Sequence, residues 1–308
     1  MPDVFTDLRP LLFSIAYRML GSVSDAEDVV QDAYLRYHRA VAAGTEIESP
    51  KAFLSAITTR LAIDLLRSAR VRRETYVGQW LPEPLLTDAS TPDPAQQSAE
   101  SDSLSMAFLL VLERLSPVER AVFLLHDVFG YEFGAVASIV GKSADNCRQV
   151  AVRARRHVSE HRPRFEASRT QREELADRFV AALSEGDLGG LVELLAADVV
   201  VTGDSGGMSP SWPRPIAGQD KVARLLLGLA EQMRRVIGIT ISRVEVNGQP
   251  GAAIRDADGQ LVNVFSFDIA DGVVQAVRSV ISREKLRHLG PLADVQALMH
   301  ARRAGEPS

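Results

Sequence analysis

The sequence predicts a multidomain chain: two all-α helical modules, the second containing a helix-turn-helix, followed by an α+β domain. Three observations lead there. Apolar residues recur at helical spacing up to the region of His161, a stretch rich in proline and small polar residues interrupts them, and beyond about Thr170 segments of strand-like alternation appear. The length of 308 residues also exceeds the roughly 100–200 of a usual single domain.

In the first module Leu11, Leu12, Ile15, Ala16, Met19 and Leu20 share a helical face, and Gly21 ends that helix. Ser24 followed by Glu27 reads as a capping box that opens a second helix through Val29, Val30, Ala33, Tyr34 and Tyr37. Ser49-Pro50 supplies an N-cap and a proline at the first helical position for a third, through Phe53, Leu54, Ile57, Leu61 and Leu65. Residues 76–103 read as a linker, because Pro82, Pro84, Pro92 and Pro94 break every period. Within it Trp80-Leu81-Pro82-Glu83-Pro84 is apolar. It suits docking on a neighbouring domain or, alternatively, patching its own module.

The second module starts at Leu104. Ser116-Pro117-Val118-Glu119 combines N-cap, proline and capping glutamate. Phe133–Val140, a turn at Gly141 and a polar, basic helix capped by Ser143 give the order of a helix-turn-helix. Further on, Leu175, Phe179, Ala182 and Leu183 mark a helix ending at Gly186, and Leu188–Leu195 a shorter one. Strands are expected at Val199–Thr202, Ile239–Val246, Leu261–Ile269 and Val273–Ile281, with Asp258-Gly259 and Asp271-Gly272 as turns and a helix from Asp220 to Arg235. Residues 287–308 read as a polar tail.

A net charge of −5 with 46% hydrophobic residues describes an ordinary globular chain, so the distribution of charge carries the information. Five arginines (60, 67, 70, 72, 73) stand against Asp64 at the end of the third helix. Seven basic residues lie between Lys142 and Arg164 against Asp145 and Glu160. Two such runs, each closing a helical module, point to phosphate contact. A lone cysteine, Cys147, excludes an intrachain disulfide and a cysteine-based zinc cluster, and reads as a small buried side chain. The start lacks a signal-peptide layout and no segment has the ~20 apolar residues of a membrane span, so a cytoplasmic location is expected.

Several motifs in order resemble the extracytoplasmic-function sigma factors, subunits that carry RNA polymerase to promoters. Asp25-Ala26-Glu27-Asp28-Val29-Val30-Gln31-Asp32-Ala33-Tyr34-Leu35-Arg36 looks like the family's polymerase-binding helix in region two, and Asp64-Leu65-Leu66-Arg67 like the close of its promoter-melting helix. Leu115-Ser116-Pro117-Val118-Glu119-Arg120 with the helix-turn-helix looks like region four. Trp80-Leu81-Pro82-Glu83-Pro84 and Asn247-Gly248-Gln249-Pro250-Gly251 resemble the sigma-J-like subgroup, which carries a SnoaL-like extension of the NTF2 fold. The implied layout is region two at 1–75, linker at 76–103, region four at 104–165, a cone-shaped SnoaL-like domain at 170–286 and the tail. The resemblance also implies that this domain regulates the other modules in cis through interdomain contacts that involve Trp80, Leu81, Pro82, Asp204, Asn247, Gln249 and Pro250. Asp204-Ser205-Gly206-Gly207-Met208 stands where the subgroup has a glycine-rich loop ending in lysine. Arg60 replaces a frequent Asn, and Val150 a frequent basic residue.

The implied roles follow residue chemistry. Asp25, Glu27, Asp28, Gln31 and Asp32 face core polymerase, at the coiled coil of its largest subunit, with the flap as a second contact; the acids also suit a helix N-terminus. Arg60, Arg67, Arg70, Arg72 and Arg73 line a cationic groove for the melted strand, with Asp64 orienting an arginine. Asn146, Arg148, Gln149 and Arg153 face bases of promoter DNA, and Arg155 and Arg156 phosphates. No cofactor or metal is called for. Residues 166–287 contain no His, Cys or Tyr, which argues against catalysis there. A helix-turn-helix regulator with a ligand-sensing domain is the alternative, although it needs neither the acidic helix nor the first arginine run. An enzyme fused to a DNA-binding module is a third reading.

Overall fold

The computed structural model describes residues 4–74, 76, 78–87, 103–161, 168–207 and 214–294, with the side chains of 69–74 also outside the description. The chain divides into two units, Met1–Thr75 with Ala107–Arg162, and Tyr76–Met106 with Pro163–Ser308.

In the first unit, α1 (Val4–Leu20) buries Leu12, Ile15, Ala16, Met19 and Leu20 along the expected face. α2 (Val23–Ala42) starts earlier than its sequence suggests. Ser22 is the N-cap, its hydroxyl accepting from the Asp25 N–H at 3.1 Å, while Glu27 pairs with Arg9 at 2.5 Å. The box expected at Ser24 is displaced because Ser22 is already extended and Val23 is buried as the first helical residue. α3 (Pro50–Glu74) begins as expected, the Ser49 hydroxyl accepting from the Ala52 N–H at 3.3 Å. α4 (Met106–Leu112) leads to α5 (Pro117–Phe123), where both halves of the Ser116–Glu119 capping box form. A π-helical turn, Leu124–Val128, follows. α6 (Phe133–Val140), left-handed Gly141 and α7 (Ala144–His161) complete the helix-turn-helix. Arg120, 2% exposed, joins early and late helices by donating to the Met19 carbonyl and to Glu113 at 2.9 Å.

In the second unit, α8 (Arg169–Glu185), α9 (Leu188–Leu194) and α10 (Gln219–Ile237) pack on a seven-stranded sheet. Its strands are β1 (Leu86–Thr87), β2 (Leu195–Asp204), β3 (Ile216–Ala217), β4 (Thr240–Val246), β5 (Gln249–Arg255), β6 (Leu261–Ala270) and β7 (Val273–Val280), in the order β1-β4-β5-β6-β7-β2-β3. Among the pairings of these described strands only β2–β7 is parallel. Phe179 of α8 meets Phe267 of β6 with ring centroids 4.7 Å apart at the centre of the core. This is the expected α+β arrangement. β5 has no counterpart among the expected strands. Its Gln-Pro-Gly-Ala-Ala-Ile lacks a period of two because both its faces are buried, and Pro250 disguises it further. Gly251 is required there, since a Cβ would lie 2.3 Å from the Phe265 carbonyl oxygen and 2.6 Å from Val246.

Two segments expected to lie outside the domain are folded into it. Residues 76, 78–87 and 103 of the expected linker belong to this unit, and so do 104–106, which were expected to open the second helical module: β1 pairs with β4 at the sheet edge, and the Ser266 hydroxyl lies 3.3 Å from the Met106 sulfur. The tail begins within structure too, with α11 (Arg283–Leu286) running into a 3-10 turn at Arg287–Leu289, Leu292 bridging to Leu261, and Ala293 3% exposed. Residues 88–102 and 295–308 lie outside the described residues. No helix among the described residues is long and apolar enough to cross a membrane.

Candidate nucleic-acid interface and linker anchor

On α2 the structure separates the five expected polymerase-facing residues into two groups. Asp28, Gln31 and Asp32 are exposed on successive turns, which leaves them open to a partner. Asp25 and Glu27 are half-buried, Asp25 in the first turn and Glu27 held by Arg9.

At the end of α3 the cationic run is also divided. Asp64 and Arg67 form an exposed pair at 3.3 Å, the orientation of an arginine by a carboxylate that the spacing suggests. Arg60 has a different engagement: its Nε donates to the Ile139 carbonyl at 2.9 Å and a terminal nitrogen to the Ser138 carbonyl at 2.7 Å. It therefore caps the last turn of α6, satisfying carbonyls that a helix C-terminus leaves without partners. These two bonds use two of the five guanidinium N–H donors and tie the exposed Arg60 side chain to α6. The side chains of Arg70, Arg72 and Arg73 lie outside the described residues.

α7 presents a clear division between core and surface. Cys147, Val150, Ala151, Ala154 and Val158 are buried, and burial raises the Cys147 thiol pKa. Val150 is thus a packing residue, which accounts for an apolar side chain at this position. Asn146, Arg148, Gln149, Arg153, Arg155 and Arg156 are exposed. Each arginine has an intramolecular acidic neighbour: Arg148 pairs with Asp145, Arg153 lies 3.7 Å from Glu119, Arg155 2.6 Å from Asp127 and Arg156 3.8 Å from Glu160. The pairs with Asp145 and Glu160 lie within one helix and are solvated, so they yield readily to a phosphate or base. Arg155 ties α7 to the π-helical turn and Arg153 ties it to the α5 cap. Burial would raise the Glu119 pKa, but hydrogen bonds from the Ser116 side chain and backbone together with Arg153 outweigh it and hold it below the usual carboxylate value.

The interdomain residues converge on the linker. Asp204, fully buried at the end of β2, accepts four hydrogen bonds: Tyr76 hydroxyl at 2.5 Å and Gly206 N–H at 3.0 Å on Oδ1, and Leu81 N–H at 2.8 Å and Lys285 Nζ at 2.6 Å on Oδ2. Lys285 also donates to the Leu81 carbonyl, and its ammonium lies 4.4 Å from the Trp80 ring centroid and 4.9 Å from that of Tyr76. Leu81 and Pro82 are buried beside it. Burial, then the Asp204 carboxylate, pushes the Tyr76 hydroxyl pKa far up, so the phenol remains a donor. The inventory of residues 166–287 could not include this tyrosine because it arrives from the linker. With both carboxylate oxygens filled by the chain's own donors, Asp204 is an anchor and holds no acceptor site open for a substrate. Met208 lies outside the described residues; the positive charge beside Asp204 comes from Lys285, 81 positions away.

Asn247 is the second anchor. Its Oδ1 accepts from the Leu85 N–H at 3.0 Å and its Nδ2 donates to the Leu104 carbonyl at 3.0 Å, so one fully buried amide holds both arms of the linker. The amide orientation is fixed, since a backbone N–H only donates and a carbonyl only accepts. Asn247 (φ 55°) and Gly248 (φ 70°) form the β4–β5 hairpin turn that aims this side chain. Gln249 accepts from Arg172 at 2.6 Å and Pro250 lies opposite Glu245 in β5, so both serve the sheet and α8. Lys285, Tyr76 and His288, which bonds the Pro84 carbonyl at 2.8 Å, complete the anchor without having been anticipated from sequence. A lone lysine, tyrosine or histidine carries no periodic or motif signal.

A family model described as Sigma-70 region 2 matches residues 4–72, and one described as Sigma-70, region 4, matches residues 105–158. Among curated proteins, the ECF RNA polymerase sigma factor SigJ of Mycobacterium tuberculosis is 38% identical over 288 residues, 91% of this chain and 91% of that protein. A probable ECF RNA polymerase sigma factor, SigI of the same species, is 31% identical over 280 residues, covering 90% and 92% respectively. Among solved structures, the crystal structure of M. tuberculosis SigJ is similar with a TM-score of 0.72 at 35% identity, over 94% of this chain and 99% of that one.

Proposed function

The chain belongs to the ECF RNA polymerase sigma factors, and from that membership we propose that its C-terminal unit restrains initiation in cis by holding the linker between the promoter-binding modules. The carrying observation is the pair of anchors: Asp204 and Lys285 grip residues 76–81, while Asn247 bonds Leu85 and Leu104 at once. In this reading Asp28, Gln31 and Asp32 meet the coiled coil of the polymerase largest subunit, region four also meets the flap, Arg67 and the arginines after it track the melted strand, and α7 reads the upstream duplex.

Initiation requires the end of α3 and the helix-turn-helix to act on separate promoter segments, and Arg60 to leave the α6 carbonyls. Both changes call for a longer, freer connection. Releasing residues 76–87 and 103–106 from the sheet adds about 50 Å of contour at ~3.3 Å per residue. Restraint follows from keeping them docked. Run-off transcription with core polymerase tests this by comparing the full chain with one ending at residue 167. Expected are polymerase binding by both and a higher yield of transcript on truncation, whereas a lower yield contradicts restraint. Absence of polymerase binding by the full chain contradicts the assignment of α2, and equal transcription contradicts regulation in cis.

A further inference from the structure

α7 carries an apolar side chain at a place where a solvated helix has no use for one. Val152 is 62% exposed, the highest among the large hydrophobic residues described as exposed. At about 100° per residue, it lies roughly 150° around the helix from the middle of the stripe formed by Cys147, Val150, Ala151, Ala154 and Val158. That direction is the centre of the outward face, where Arg148, Gln149 and Arg156 surround it, all exposed. The cationic surround suits a phosphate-lined groove. A helix-turn-helix lays this face of its second helix in the major groove. Arginine and glutamine have phosphates and base edges to bond there, whereas valine has neither donor nor acceptor. The one major-groove group complementary to an isopropyl side chain is the 5-methyl of thymine.

We propose that Val152 is a specificity-determining residue that selects thymine at one position of the upstream promoter element by packing against its 5-methyl group. The proposal rests on α7 being the promoter-recognition helix. Arg148 and Gln149, one turn earlier, bond neighbouring base edges and fix the depth at which Val152 meets the base. Burial of one methyl against an apolar partner corresponds to roughly a three- to fivefold difference in affinity.

The test uses full-length protein bound to core polymerase and duplex DNA randomised over the upstream element. Bound sequences are compared for the wild type, Val152→Ala and Arg148→Ala. The wild type is expected to enrich thymine at a position where Val152→Ala does not, while Arg148→Ala alters a different position. Deoxyuridine in place of that thymine, which removes the methyl alone, is then expected to weaken wild-type binding three- to fivefold and to leave Val152→Ala binding unchanged. Val152→Ala exchanges an exposed side chain for a strong helix former, and an unchanged thermal melt verifies its fold. An identical base preference for wild type and Val152→Ala, or equal binding of thymine and deoxyuridine promoters by the wild type, overturns the proposal alone. Wild-type selection that Arg148→Ala leaves untouched, or no upstream enrichment at all, overturns the reading of α7 and the proposal with it.

Discussion

Replacing Asn247 by Asp exchanges one nitrogen for oxygen and yet reverses one of the two bonds that hold the linker. Asp tolerates the left-handed backbone that Asn247 adopts at φ 55°, so the β4–β5 turn survives. The Leu85 N–H keeps an acceptor. The Leu104 carbonyl, which now accepts from Nδ2 at 3.0 Å, meets an oxygen instead. An orphaned buried acceptor costs about 1–3 kcal/mol, and ionising a carboxyl at a site where Asn is fully buried adds ~1.4 kcal/mol for each unit by which burial raises its pKa. The neutral acid behaves differently, because its O–H can donate to Leu104 and restore the bond. With the folded pKa of the new Asp above its unfolded value, its contribution is fully present below the unfolded pKa and is lost as pH rises through the folded one. Asn247→Asp is therefore expected to be within about 1 kcal/mol of wild type near pH 4 and at least ~3 kcal/mol less stable near pH 8. Urea denaturation followed through Trp80, in chains where Trp212 is replaced by Phe, measures the difference at each pH. A penalty independent of pH, or none near pH 8, refutes the placement of this amide between Leu85 and Leu104.

Three other outcomes follow from the same contacts. Asp204→Ala strands the Lys285 ammonium in a buried site and is expected to cost about 3–5 kcal/mol, part of which Lys285→Met recovers in the double variant; additive losses in a double-mutant cycle contradict the pairing. Glu119→Gln is expected to cost about 1 kcal/mol at neutral pH through the weakened α5 cap and the contact to Arg153. Since the folded Glu119 pKa is depressed, its contribution is present above the unfolded pKa and disappears as pH falls through the folded one, so thermal melts of variant and wild type should converge in acid. Reversing charge with Asp28→Lys and Asp32→Lys together is expected to weaken binding to core polymerase at least tenfold in a competition assay, with the melt unchanged because both side chains are exposed.

The helical half was legible because its signals are local. Ser49-Pro50, Ser116-Pro117 with Glu119, Gly141 and Ser143 each act within a turn of where they stand, and each does in the structure what its neighbours in sequence imply. Ser24 misled because Ser22, two residues earlier, was equally able to cap and the burial of Val23 decided between them. The anchor was half legible: Asp204 and Asn247 stood in motifs, but apart from the Gly206 N–H their partners lie 81 to 162 positions away and include backbone groups of Leu81, Leu85 and Leu104 that no side-chain pattern reports. The linker misled for a related reason. Proline breaks helical and strand periods, yet Leu81, Pro82, Glu83 and Pro84 are buried, and an irregular segment can dock as firmly as a regular one when its polar groups find partners. Arg60 shows the limit of charge counting, since its place in a basic run gave no hint that two α6 carbonyls would claim it.

Restraint by the docked linker is tested most directly by locking it. Thr87 and Glu245 face one another across the β1–β4 pairing, and Cys147 is buried, so Thr87→Cys with Glu245→Cys introduces one pair of thiols that oxidation can join. The measurement is run-off transcription by this variant on core polymerase, oxidised and then reduced. Regulation in cis through linker release predicts that the oxidised chain still binds polymerase but yields at least severalfold less transcript, and that reductant restores wild-type yield. Equal transcription before and after reduction contradicts it.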